Sequence, residues 1–208
     1  MTYLNAKQDE NMIKTNGDDI SYESRNYYWG KVTLRSVEKE DLETLWTLIY
    51  GEEDPEFKKW DAPYFPLEKV DLNKYVTEMS RQIDEGLEDM KLIIVNEEII
   101  GTVTYYWEHR PSNWMEFGVI IYKPEFWSGG YGSEACKLWV DYLFETYAFI
   151  PRLGFTTWSG NIRMMKVGEK LGMVEEARIR KCRLYNGTYY DSIKMGMLRE
   201  EWESLTKN

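Results

Sequence analysis

Apolar residues change their spacing along the chain in a way that marks out elements. Lys31-Val32-Thr33-Leu34-Arg35 alternates and predicts a short strand. From Glu38 to Ile49, Leu42, Leu45, Trp46 and Ile49 share one helical face. A second helix is predicted from Leu67 to Gly86, with Leu72, Val76, Met79 and Ile83 on one side. Met90–Val95 and Ile99–Trp107 are apolar, partly alternating runs joined by Asn96-Glu97-Glu98, a hairpin pattern. Trp114–Ile121 supplies the next strand, closed by Lys123-Pro124, so the sheet is expected to begin as an antiparallel meander.

After Gly132 the pattern turns helical again. Ala135, Leu138, Trp139, Tyr142 and Leu143 recur at three- and four-residue steps. A strand at Arg152–Thr157 and a helix from about Asn161 to Leu171 follow, with Gly172 as the expected C-terminal cap. Val174–Leu184 and Thr188–Leu198 flank Tyr185-Asn186-Gly187, and Asn-Gly between two strand-like runs is a strong hairpin signal. Strand, two helices, meander, helix, strand, helix and hairpin together predict an α+β fold with a mixed sheet. Residues 1–28 are polar and without periodicity, which predicts an N-terminal arm preceding one domain over 29–208.

Composition narrows the function. With 208 residues, 43% hydrophobic and 15% aromatic, the chain has material for one full core and a ligand pocket. A formal net charge of -10 argues against nucleic acid as a partner, because neutralising phosphates takes clustered Lys and Arg. Cys136 and Cys182 are too few for a disulfide framework, and the single histidine, His109, rules out multi-histidine metal sites, so no metal is expected. The first residues lack a secretory apolar core and no run reaches membrane-spanning length, so a cytoplasmic protein with no membrane contact is expected.

Chemistry concentrates in Phe126-Trp127-Ser128-Gly129-Gly130-Tyr131-Gly132-Ser133-Glu134-Ala135, between a strand and a strongly periodic helix. Its glycines let main chain approach a ligand closely. Successive amides at a helix start form a cradle for an anion, and a diphosphate is the natural guest. The spacing is neither the dinucleotide fingerprint nor a P-loop. Read alone, the segment also fits a tight turn with no ligand.

Context adds to that reading. Gly130 and Gly132 within Trp127-x-x-Gly-Tyr-Gly-Ser-Glu-Ala, the block Asn161 to Met173, and Asn186-Gly187-Thr188-Tyr189-Tyr190-Asp191 before a last strand stand in order along the chain. In these three blocks it resembles the GNAT-type acetyltransferases, in the branch that includes the ribosomal-protein N-terminal acetyltransferases. The resemblance spans about residues 31–199. Trp127 stands where the wider family has Gln or Arg.

The resemblance implies a twisted mixed sheet in which two parallel strands, Trp114–Ile121 and Arg152–Thr157, splay apart to admit acetyl-CoA as co-substrate. Main chain near Val119, Ile120 and Ile121 would bond the pantetheine arm. Trp127 and the amides of Ser128, Gly129, Gly130, Tyr131, Gly132 and Ser133 would hold the diphosphate, and Asn161 the far end of the pantetheine.

Glu116, on the strand lining that cleft, is the candidate base for the attacking amine; the alternative is a solvated strand carboxylate. Many relatives carry a proton-donating Tyr where this chain has Gly168, and many in the branch a Ser where it has Met164. Trp60, Tyr64 and Phe65, in a loop broken by Pro55, Pro63 and Pro66, are candidate acceptor contacts or else cover for the core. The acceptor is expected to be an amine on a small molecule or peptide, and a homodimer is compatible with the family. The second functional reading is a regulatory module that binds acyl-CoA without turnover.

Overall fold

The computed structural model describes residues 27–206. Among the described residues eight strands form one sheet in the order β1-β2-β3-β4-β5-β6-β8-β7. These are β1 (Tyr27–Trp29), β2 (Val32–Arg35), β3 (Met90–Val95), β4 (Glu98–His109), β5 (Trp114–Ile121), β6 (Arg152–Trp158), β7 (Val174–Tyr185) and β8 (Thr188–Leu198). The helices are α1 (Leu42–Tyr50), α2 (Leu72–Asp84), α3 (Tyr131–Thr146), α4 (Ile162–Leu171) and α5 (Arg199–Thr206). Strands β1 to β5 form the expected antiparallel meander, β5 and β6 run parallel, and the β7–β8 hairpin completes the sheet beside β6. The mixed α/β architecture is the one predicted.

Both predicted hairpin turns follow from local chemistry. Asn96 and Glu97 have φ of 49° and 66°, Asn186 and Gly187 of 47° and 74°, the paired positive angles of a tight turn matched to strand twist. Most of the arm expected over residues 1–28 lies outside the described residues; β1, which was not predicted, begins at Tyr27.

Two helices start later than expected, and one helix was not expected. The helix predicted from Leu67 starts at Leu72, because Asp71 caps it by accepting from the amides of Asn73 and Lys74, while Val70 spends its carbonyl on Trp46 Nε1 at 2.8 Å. The helix predicted from Glu38 opens as a 3-10 turn over Lys39–Asp41 before α1 begins. Helix α5, where no helix was predicted, follows β8 directly; Arg199 anchors it by donating to the carbonyls of Phe144, Tyr147 and Ile150.

Alternation along the strands gives two cores. Ile93 and Val95 face the larger one, where Trp139, Leu143 and Phe144 of α3 are buried; Leu92 faces the smaller, beneath Leu42 and Leu45 of α1 and Tyr75 of α2. Cys136 packs in the larger core, and burial pushes its thiol pKa up. Thus α3 fixes one wall of the sheet and α1 with α2 the other, leaving the end of β5 and β6 to define the site.

Candidate active site

Parallel pairing between β5 and β6 covers only Trp114↔Arg152, Met115↔Leu153 and Glu116↔Gly154, although β5 continues to Ile121 and β6 to Trp158. Beyond Glu116 the strands part, and a cavity of about 940 Å³ opens between them. Its size suits a small-molecule site. Peptide groups of β5 alternate between β4 and the gap. Tyr122 N–H donates to Ile100 of β4 at 2.9 Å, and the Ile120 carbonyl also lies against β4, close to Gly101. Val119 and Ile121 therefore direct their peptide groups into the gap. Of the three neighbouring residues expected to bond the pantetheine through main chain, Ile120 is turned away and reaches the cavity only by its side chain.

At one end of the gap, Trp127 Nε1 donates to the Ile121 carbonyl at 3.0 Å and fixes the entry to the glycine loop. Ser128 and Gly130 have φ of 63° and 90°, left-handed conformations that turn successive amides toward one point. Among the described residues no side chain caps α3, which leaves its first-turn amides at Tyr131, Gly132 and Ser133 without a side-chain cap there. A Cβ built on Gly130 or Gly132 would meet nothing within 4 Å, whereas one on Gly129 would lie 2.6 Å from the Tyr131 ring. Gly129 is thus required by packing, and Gly130 and Gly132 leave room over the amides. Ser128, Gly130, Gly132 and Ser133 line the cavity. Donors, dipole and space fit a diphosphate.

The opposite wall is β6 and the start of α4. Asn161 caps α4, accepting from the Met164 amide at 3.1 Å, and its side-chain amide donates to the Trp60 carbonyl at 3.1 Å. Trp158 Nε1 donates to the same carbonyl at 3.0 Å. The Trp60 ring meets Trp127 edge to face at 6.3 Å, and the Arg163 guanidinium lies over both rings at 4.4 Å and 5.2 Å. The proline-punctuated loop therefore straps across the gap, touching both walls. Trp60 and Tyr64 line the cavity; Phe65, 41% exposed, packs against Tyr64 from outside.

At the apex, where pairing stops, Glu116 is 2% exposed. Its Oε2 accepts from Tyr106 at 2.8 Å and Thr156 at 2.7 Å, and its Oε1 from Lys194 at 2.7 Å. Burial pulls the Lys194 ammonium down, but the bond and charge of Glu116, with Glu108 beside it, more than offset this and raise its pKa above the ordinary 10.5. Glu116 itself does not line the cavity; Tyr106 and Thr156 do. The carboxylate is neither solvated nor in direct contact with the gap: it meets it through two hydroxyls. Sequence reasoning had missed Tyr106, Thr156 and Lys194. Register alone brings them in, since Tyr106 pairs with Glu116, and Lys194 with Thr156.

On α4, Met164 lines the cavity, while Gly168 is buried with the Phe155 ring 2.9 Å from where its Cβ would stand. Glu68, Glu78 and Asp89, on or next to α2 and just before β3, also line the cavity. Among the described residues no group of His, Cys, Asp and Glu could hold a metal ion, and no helix is long and apolar enough to cross a membrane.

Comparison with known proteins gives consistent relatives. The family described as acetyltransferase (GNAT) domain matches residues 31–174. The SPbeta prophage-derived N-acetyltransferase YokL of Bacillus subtilis (strain 168) is 26% identical over 181 residues, covering 85% of this chain and 96% of that one. N-acetyltransferase YnaD of the same strain is 26% identical over 159 residues, covering 71% and 92%. Among solved structures, the spermidine N-acetyltransferase from Vibrio cholerae in complex with CoA and spermine superposes with a TM-score of 0.68 at 20% identity, covering 83% of this chain and 98% of that one.

Proposed function

The chain belongs to the GNAT acetyltransferase family, and on that premise we propose that it moves an acetyl group from acetyl-CoA to a primary amine by direct attack in a ternary complex. The observation that carries this reading is the gap between β5 and β6, with the uncapped start of α3 at one end and Glu116 at its apex. Val119 N–H, directed into the gap, is suited to receive the oxyanion of the tetrahedral intermediate. Thr156 takes up a proton from the attacking amine as its own hydroxyl proton passes to Glu116, with Tyr106 holding the same oxygen. The departing thiolate is a weak base and needs no side-chain donor, consistent with Met164 and Gly168 on α4. A covalent acetyl-enzyme has no support, since neither Cys136 nor Cys182 lines the cavity.

For the acceptor, Glu68, Glu78 and Asp89 favour an amine that carries positive charge, and Tyr64 and Trp60 offer rings against which it can lie. A protein amino terminus and a polyamine both meet that description, as do amino acids and amine-bearing drugs. The test is release of free thiol from acetyl-CoA over a panel holding all four classes. Transfer to at least one supports the reading; saturable acetyl-CoA binding with no transfer to any supports the regulatory module, and absence of binding rejects both.

A further inference from the structure

The two oxygens of Glu116 face different surroundings. Oε2 accepts from Tyr106 and Thr156, neutral hydroxyls that line the cavity; Oε1 accepts from Lys194 at 2.7 Å, and Lys194 does not line it. Lys194 reaches the carboxylate from β8, where it pairs in register with Thr156 of β6. Its Nζ is held by Glu116, by Glu108 of β4 at 3.3 Å, and by the Trp114 ring of β5, whose centroid is 5.1 Å away. Arg152 lies over the same ring at 5.4 Å, but its charge is matched by Glu176. Among the described residues Lys194 is thus the cation paired with Glu116, and a quarter of its side chain is exposed where the carboxylate is buried.

A buried carboxylate is costly without a counter-charge, and more so once a ligand drives water from the neighbouring cavity. A cation seated outside that cavity is out of reach of whatever enters it. The fold alone has little need of charge at this junction, since a buried ion pair is often no more stabilising than an apolar pair of like volume. We infer that Lys194 is a positioning residue for the transfer reaction: it holds Glu116 ionised, with Oε2 turned to Thr156, while the gap is occupied. It touches neither the carrier nor the amine and acts only through Glu116. This rests on the proposed function, in which Glu116 receives the proton that Thr156 passes on.

Steady-state thiol release from acetyl-CoA, with an amine that the unaltered chain acetylates, tests this in a double-mutant cycle of Lys194 and Glu116. K194M keeps an aliphatic stem and removes the charge; kcat should fall at least about tenfold, with KM for acetyl-CoA changed less than about twofold. K194R keeps the charge and should hold kcat within about threefold of the unaltered chain. In the E116Q background the same K194M replacement should change kcat less than about twofold, because the group through which Lys194 acts is already gone. Circular dichroism and thermal melting verify folding. K194Q, neutral but still able to donate to Oε1, should match K194M and replaces it if that variant does not fold; if neither folds, the pair is structural and the inference falls. Equal losses on removing Lys194 from the unaltered chain and from E116Q, a raised KM in place of a lowered kcat, or K194R as poor as K194M also overturns it. An unaltered chain without turnover, or E116Q with unaltered kcat, brings down the proposed function itself; the other adverse outcomes remove this inference alone.

Discussion

The side-chain amide of Asn161 donates to the main-chain carbonyl of Trp60 at 3.1 Å, tying the proline-broken loop to the start of α4. One residue thus caps α4 through its oxygen and holds the strap through its nitrogen. N161D retains the cap and loses the Asn161 bond to the strap, leaving the Trp158 bond to the same carbonyl, whereas N161A loses both Asn161 bonds. Denaturant unfolding should show N161A about 1–2 kcal/mol less stable than the native chain and N161D less affected. Limited proteolysis between residues 51 and 66 should accelerate in both. Equal resistance to cleavage in all three proteins would show that the strap is held by other contacts.

Gly132 separates what the fold needs from what the ligand needs. No atom lies within 4 Å of a Cβ built there, and an acid in the first turn of α3 is favoured by the helix dipole. G132E should keep stability within about 1 kcal/mol of the native chain. Its carboxylate would nonetheless stand over the cradle, and affinity for acetyl-CoA should drop at least about tenfold. Unchanged affinity by titration places the diphosphate elsewhere.

For Glu116, the replacement E116Q keeps an acceptor for Tyr106 and Thr156 and removes the charge facing Lys194. Turnover with a competent amine should fall about a hundredfold, with KM for acetyl-CoA little altered. A loss of stability without loss of kcat in the surviving folded protein would assign the carboxylate to the Lys194 pair alone.

Asp41 gives a prediction about pH. Burial alone would raise its pKa, but both guanidinium nitrogens of Arg35 at 2.7 Å and the Glu38 amide at 2.8 Å outweigh that and hold it below the ordinary 3.8. A depressed carboxyl stabilises the fold fully above its unfolded pKa, and the contribution is lost as pH falls through the lower folded value. D41N should therefore cost about 2 kcal/mol at neutral pH, and the two unfolding curves should converge below the ordinary carboxylate range. A constant difference down to the most acid pH would contradict the assignment.

Much of this was legible because it is local. Asn186-Gly187 and Gly130 announce their backbone angles directly, and the spacing of Ala135, Leu138, Trp139, Tyr142 and Leu143 announces α3. The apex was half legible: Glu116 could be placed on its strand, but Tyr106, Thr156 and Lys194 reach it from three other positions in the sheet, and register is a property of the assembled fold. The same holds for Arg163, whose two tryptophan neighbours lie far away in sequence. Residues 67–71 fell inside the helix predicted from the spacing of Leu72, Val76, Met79 and Ile83, but they form no helix, and Leu67 and Val70 pack against the smaller core.

A carrier held by main-chain amides imposes little on the side chains around it. On the proposed function, mutation can rewrite the acidic lining near α2 without touching the main-chain amides of Ser128–Ser133 that would grip the acyl donor. Substrate choice in such a molecule is an exchangeable fitting, and drift in its surroundings is a route to new customers for one unchanging supply.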